Sequence, residues 1–470
     1  MKKTIIISLI LISVILCVPS LIYLFNNKTV DGFDAYYTYT LTKSETPAIG
    51  FLSGVLIIGL LLIFSFLYFI LIKKEAIVFK NRNKIWIFII IISFIFTLIL
   101  PYLSSDIYYY IGDSWLSAKY NENPYYTSVG QLQETGINDE ILNNTGYWKN
   151  TTSVYGPLWN FISKILVSLS FGNVTIALFI FKIASFLIHI LNTFLILKLT
   201  KSNKYMLMYG INPLILIEFL SNVHNDIYLI LFILLTLYFL IKKKNIWPVI
   251  LFLALSISIK YSTALLVPFI LIYYFKNKTI PKRILYCIIS GLLIVALVIL
   301  LYLPYFRDFT IFTNMLVQGE KYSQSLMSVL LKKLPNNIFS IISNLLIPTF
   351  LVIYITILII ILFNKKVTFK EIMKKYNFVM LLFIFIVLTT FQKWYILWLF
   401  PTIIWQNKNM RKLFLYMTIL SLMPSLKYFE AGVDAFSLGM TYSIKIIILS
   451  FSILTINILF NKYLSRRKLS

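Results

Sequence analysis

Residues 84–110 read KIWIFIIIISFIFTLILPYLSSDIYYY, and this stretch decides the class of the protein. An apolar run near 85–103 is followed at once by a carboxylate, Asp106, and then by three tyrosines. A run of about twenty apolar residues is what a helix needs to cross the hydrocarbon core of a bilayer. Comparable runs lie near 4–25, 48–72, 172–197, 205–221, 226–241, 246–259, 262–275, 284–303, 337–363, 376–391, 394–405, 413–425 and 440–461. Water is absent from that core, so each run must satisfy its own backbone hydrogen bonds as a helix. The expected fold is an all-α, polytopic transmembrane bundle of about fourteen spans with both termini cytoplasmic. The runs near 226–275 and 394–425 are short, which predicts tilted, broken or paired helices there.

Composition agrees. Of 470 residues, 59% are hydrophobic and only 13% charged, where soluble domains carry about 25%. The net charge of +26 is a signature that nucleic-acid-binding proteins share. Its distribution argues against nucleic acid, because the cations cluster in short segments between apolar runs. The segments that alternate to the cytoplasmic side hold 29 of the 43 Lys and Arg residues, and of the 17 acids only Glu75 and Glu371. That is the asymmetry of the positive-inside rule. Cys17 and Cys287 both lie in apolar runs far apart in sequence, so no disulfide framework or metal motif follows. Lys2 and Lys3 before a long apolar run with no small-residue cleavage site predict a retained signal anchor.

The same alternation places acids and aromatics outside. The longest external segment is 104–171, ending in YGPLWNFISKILVSL (155–169), where Pro157 suits the first turn of a helix. Interleaved polar residues make that stretch interfacial or re-entrant rather than spanning. Asp106 lies just beyond an apolar helix, where partial desolvation raises a carboxylate's proton affinity and suits it to act as a general base. The plainer reading is a solvated acid within an aromatic belt. His224, Asn225 and Asp226 form a polar step between two apolar runs. Ionisable groups at membrane depth are functional by default, the bland alternative being a cap on the next helix. Lys260, Arg307 and Lys393 are isolated cations near outer helix ends; they either snorkel to headgroups or converge on the phosphate of a lipid-linked substrate. His189, in the middle of an apolar run, reads as a packed core histidine.

In order along the chain, SSDIYYYIGDSWLSAKYNENPYY (104–126), VYGPLW (154–159), SNVHND (221–226), the weaker SIKYSTALLVP (258–268) and QKWYILWLFP (392–401) carry a resemblance. Together they resemble the GT-C superfamily of polyprenyl-phosphate-sugar-dependent glycosyltransferases, and within it the bacterial polyprenol-phosphomannose-dependent mannosyltransferases. The likeness runs from about residue 85 to 405 and divides the chain into two extra N-terminal spans (1–84), a catalytic membrane domain (85–405) and C-terminal spans (406–470). It implies an enzyme of the bacterial plasma membrane, active on the extracytoplasmic side. A hexose, mannose above all, passes with inversion from a polyprenyl-phosphate donor to a glycan or glycolipid acceptor among the membrane lipids. By the same resemblance Asp106 is the base and Tyr109, Tyr155, His224 and Asp226 line the site. Lys260 and Lys393 hold the donor phosphate, and Trp394 and Tyr395 line the sugar or lipid path. No metal ligands are assigned, although some relatives use a divalent metal, which Asp106 and Asp226 would share here. Asp34, in DGFDAYY of the earlier external loop, is a rival base. Outside this family, a secondary transporter or a lipid-linked glycan flippase or ligase would also explain many helices with buried ions.

Overall fold

The structure, a computed structural model, describes residues 2–27, 47–79, 81–101, 104–242, 245–313, 323–422, 446–456 and 458. Asp34, the external loop 426–439 and the C-terminal tail from 462 lie outside the described residues. Among those described the fold is helical throughout; the β-type pairing is confined to isolated bridges from Ser323 and Gln324 to Thr390. Contacts divide the chain into two compact units, 1–264 with 290–318, and 265–289 with 319–470.

The first unit contains α1 (Lys2–Asn27), α2 (Pro47–Val78), α3 (Arg82–Leu98), α4 (Asp106–Lys119), α5 (Pro157–Ser168), α6 (Val174–Thr200), α7 (Asn203–Gly210), α8 (Asp226–Lys242) and α9 (Trp247–Ile257). Among the described residues, α1, α2 and α6, with Ile280–Tyr305 and Asn336–Phe363, provide five stretches long and apolar enough to cross a membrane. They are apolar all round rather than on one stripe: Ile183, Leu187, Ile288, Leu292, Leu345 and Val352 are exposed to the surroundings, as lipid-facing residues are. The chain is thus a membrane protein.

The expected breaks in the short runs are present. The run 246–275 folds as α9, a 3₁₀ turn Tyr261–Leu266 and a short helix Val267–Tyr274. In the second unit, Phe369–Leu382 passes into a π-helical turn at Phe383–Val387, and Lys393–Leu399 is a 3₁₀ turn before the short helix Phe400–Ile403. Pro157 opens α5 at its first position, where a missing N–H costs nothing.

A buried lysine within α6 ties parts of the first unit together. Lys182 Nζ donates to the carbonyls of Ile99 (2.7 Å), Leu220 (3.0 Å) and Ser221 (2.9 Å). Ser221 Oγ in turn donates to the Leu100 carbonyl at 3.2 Å, and Leu100 N–H to Ser20 Oγ at 2.9 Å. The chain leaving α3 toward α4 is therefore fixed to the chain leaving residue 221. Lys182→Met would strand three buried carbonyls, each costing about 1–3 kcal/mol. The expected result is a detergent-solubilised protein that unfolds several degrees lower; an unchanged unfolding temperature would remove Lys182 from this role.

Candidate active site

Asp106 begins α4, with its N–H accepted by Ser104 Oγ at 3.3 Å. A helix N-terminus favours negative charge, and an acidic residue suits the position. Its side chain retains about one-fifth exposure, and its Oδ2 lies 3.5 Å from Nδ1 of the fully buried His224. On the opposite edge of the ring, Nε2 lies 3.2 Å from Oε2 of Glu218, which is fully buried. That same oxygen accepts from Asn222 Nδ2 at 3.1 Å. One imidazole thus bridges two carboxylates.

Local backbone geometry makes the bridge. Residues Leu216–Ser221 form a π-helical turn, with Asn222 N–H reaching back to the Ile217 carbonyl at 2.8 Å. The chain then reverses at Val223, whose φ is +59°. A β-branched residue in the left-handed region is strained by about 1–3 kcal/mol, and such strain collects at functional sites. The reversal brings His224 N–H onto the Glu218 carbonyl at 2.9 Å and turns the ring back over the Glu218 side chain. Asn225, next in the chain, is buried, and its carboxamide makes no hydrogen bond within the described residues.

Asp226 starts α8, and its Oδ1 receives a 2.9 Å hydrogen bond from Lys260 Nζ; the carboxylate is buried and the lysine side chain about one-fifth exposed. Lys260 owes its place to the break after α9. There the backbone at 258–259 pairs with the turn at 156–158, Gly156 N–H bonding the Ile259 carbonyl at 3.3 Å and Leu158 N–H the Ser258 carbonyl at 3.0 Å. Gly156 is required by this approach, because an added Cβ would run into the Ser258 carbonyl. Gly156→Ala should force the two segments apart at a cost of about 1–3 kcal/mol and misplace Lys260. A turnover loss out of proportion to the drop in unfolding temperature is expected, and normal turnover would contradict the coupling.

Tyrosines wall the site. Tyr155 packs edge-on against Tyr110 (5.1 Å between ring centres) and near Tyr109 (6.1 Å), while Tyr110 continues onto Trp159 (5.0 Å). Tyr109 Oη donates to the Thr151 carbonyl at 3.2 Å, and Tyr125 Oη to the Tyr155 carbonyl at 2.7 Å. Burial pushes both the Tyr109 and Tyr110 phenols well up from their usual range, reinforced by the charges of Asp106 and other neighbouring acidic groups, so both remain neutral hydroxyls. Two turns along α4 from Asp106, Asp113 is buried; desolvation pushes its carboxyl up to about 8, against a lowering hydrogen bond from Ser153.

Asp106, Tyr109, Tyr155, His224, Asp226 and Lys260 all belong to the first unit, with direct contacts linking Asp106 to His224, Asp226 to Lys260 and Tyr109 to Tyr155. Lys393, Trp394 and Tyr395 belong to the second unit, where Trp394 is buried and Tyr395 stacks on Trp398 at 4.2 Å. Arg307 lies over the Tyr126 ring at 5.5 Å. His189 is a core residue, stacked on Tyr209 and 3.1 Å from the Gly210 carbonyl. Glu218, Lys182 and Asp113 are absent from the sequence-based candidates; the first two are signalled by being ionisable residues inside apolar runs. The carboxylates do not form a metal donor set: Asp106 faces His224 and Asp226 faces Lys260. Among the described residues no three His, Cys, Asp or Glu side chains converge as a metal ion requires.

Alpha-(1->6)-mannopyranosyltransferase A of Corynebacterium glutamicum is 25% identical over 175 residues, which are 36% of this chain and 34% of that relative. The chain thus matches about a third of that relative's length. No solved structure matches. The family model described as alpha-(1->6)-mannopyranosyltransferase, N-terminal domain, matches residues 23–276, a span that includes Asp106, Glu218, His224, Asp226 and Lys260 and leaves out Lys393. That span is more than half of the chain, and the protein belongs to this family.

Proposed function

We propose that this protein is a membrane glycosyltransferase that moves mannose from a polyprenyl-phosphate carrier to a hydroxyl of an extracytoplasmic glycan or glycolipid, with inversion. The observation that carries the reading is the partly exposed Asp106 carboxylate set against His224, beside the Asp226–Lys260 pair, within the matched span. The basic residues concentrated between apolar runs support a plasma-membrane orientation with both termini cytoplasmic and this site outside.

The chemistry is a single displacement. The acceptor oxygen attacks the anomeric carbon as Asp106 takes its proton. The bond from that carbon to the phosphate oxygen breaks, and polyprenyl phosphate leaves with the electron pair. A positioned base contributes about 10²–10⁴-fold to such a step. Lys260, held by Asp226, offers a fixed cation to the leaving phosphate, where preorganised charge counts most. Tyr109 and Tyr155 supply aromatic surface for the sugar. Lys393, Trp394 and Tyr395 are proposed to extend the path for the carrier.

The reading is tested by supplying purified full-length protein with labelled polyprenyl-phosphate mannose or glucose and membrane lipid extract from its host. Transfer of label from the mannose donor to an extract component is expected. Preference for glucose would revise the sugar, and no transfer from either donor would overturn the reading.

A further inference from the structure

Glu218 is a carboxylate at no exposure inside an otherwise apolar run, and the displacement described above makes no use of it. Its partners are specific. Oε2 faces His224 Nε2 at 3.2 Å and accepts from Asn222 Nδ2 at 3.1 Å. The far edge of the same imidazole, Nδ1, faces Asp106 at 3.5 Å. A neutral imidazole has one N–H and one lone pair, so of two ionised carboxylates it can satisfy one and must repel the other. Doubly protonated, it presents positive charge to both.

We infer that Glu218 is a positioning residue, which holds His224 as an imidazolium with its Nδ1 edge set against Asp106. The inference rests on the transferase reading for its catalytic meaning, though not for its geometry. A buried imidazolium facing one partly solvated carboxylate would be poorly compensated, and Glu218 supplies the second negative charge inside the protein. The cation in turn lies 3.5 Å from Asp106, where a fixed positive charge complements the carboxylate proposed as the base. The fold invests in this arrangement: the π-helical turn, the left-handed Val223 and the Lys182 staple on the Leu220 and Ser221 carbonyls all fix the distance from Glu218 to His224.

The other ionisable groups around the pair have identified surroundings. Asp226 is engaged by Lys260, and Lys182 by backbone carbonyls. Tyr110 is within electrostatic reach of Asp106 and Asp226, and Tyr109 of Asp106 and Asp113; both phenols stay neutral.

The test uses the full-length chain in nanodiscs with ¹⁵N-labelled histidine. His224→Asn assigns the signals, because His189 is the only other histidine. The wild type should show both His224 nitrogens protonated at neutral pH, and Glu218→Gln should show one. In turnover, Glu218→Gln should lower kcat at least tenfold with donor KM nearly unchanged, and move the alkaline limb of the kcat profile down by about one pH unit. Glu218→Asp keeps the charge, so it should keep the wild-type limb with partial kcat. If the Gln variant does not fold, the wild-type spectrum decides, because a singly protonated His224 there contradicts the inference. Wild-type spectra and pH profile in Glu218→Gln, or a singly protonated His224 in the wild type, would overturn the inference. A wild type that turns over no lipid-linked sugar would sink the transferase reading instead, while the nitrogen spectra would still decide the role of Glu218.

Discussion

Asp106→Asn is expected to lower kcat by about 10³-fold with donor KM changed less than about threefold, because the group removed acts in the transition state rather than in binding. Asparagine preserves the shape of the side chain at the start of α4 and can still face His224, so the variant should fold and unfold much as the wild type does. What it cannot do is accept the acceptor hydroxyl's proton. Asp34→Asn is the matched control, being the rival carboxylate from the earlier loop, and should retain wild-type turnover. A loss confined to Asp34→Asn would move the base to that loop. A loss in KM alone would turn Asp106 into a binding residue.

Lys260→Met should produce the second large effect, and it has two parts that can be separated. Loss of a cation at a leaving phosphate costs about 10²–10³-fold in kcat. Independently, the buried Asp226 loses its 2.9 Å partner, and stranding one member of such a pair destabilises by about 3–5 kcal/mol. Asp226→Asn in the same chain removes the stranded charge. The double variant should therefore regain most of the unfolding temperature while turnover stays low, a non-additivity that contacting residues show in a double-mutant cycle. If turnover returns together with stability, Lys260 is a structural partner of Asp226 and the phosphate is held elsewhere.

Much of the fold and part of the site are legible in the amino-acid sequence. Long apolar runs dictate helices because a bilayer leaves the backbone no other partner, and the polar step at 224–226 stands out between two of them. Pro157 marks a helix start by its fixed φ and missing N–H. Three things are not legible there. Glu218 lies six residues before His224, a spacing that joins no faces on a regular α-helix, where neighbours are three or four apart. They meet only because a π-helical turn and a left-handed Val223 fold the chain back. Lys182 sits among Phe and Ile in a spanning helix, and its three carbonyl partners come from segments 83 or about 38 residues away in sequence. The approach of Gly156 to Ser258, about a hundred residues on, places Lys260 through backbone pairing that leaves no periodic mark. The span count is also harder to read than the fold class, since runs such as 394–405 are apolar enough to enter a bilayer yet fold as a 3₁₀ turn and one short helix.

The central claim is that a lipid-linked sugar is the donor and Asp106 the base. The most direct measurement is release of polyprenyl phosphate by purified protein given polyprenyl-phosphate mannose, alongside nucleotide-linked mannose, for wild type and Asp106→Asn. The account predicts release from the lipid donor by the wild type, about a thousandfold less by Asp106→Asn, and no use of the nucleotide sugar. Turnover of the nucleotide sugar with the lipid donor untouched, or equal release by the two proteins, would contradict it.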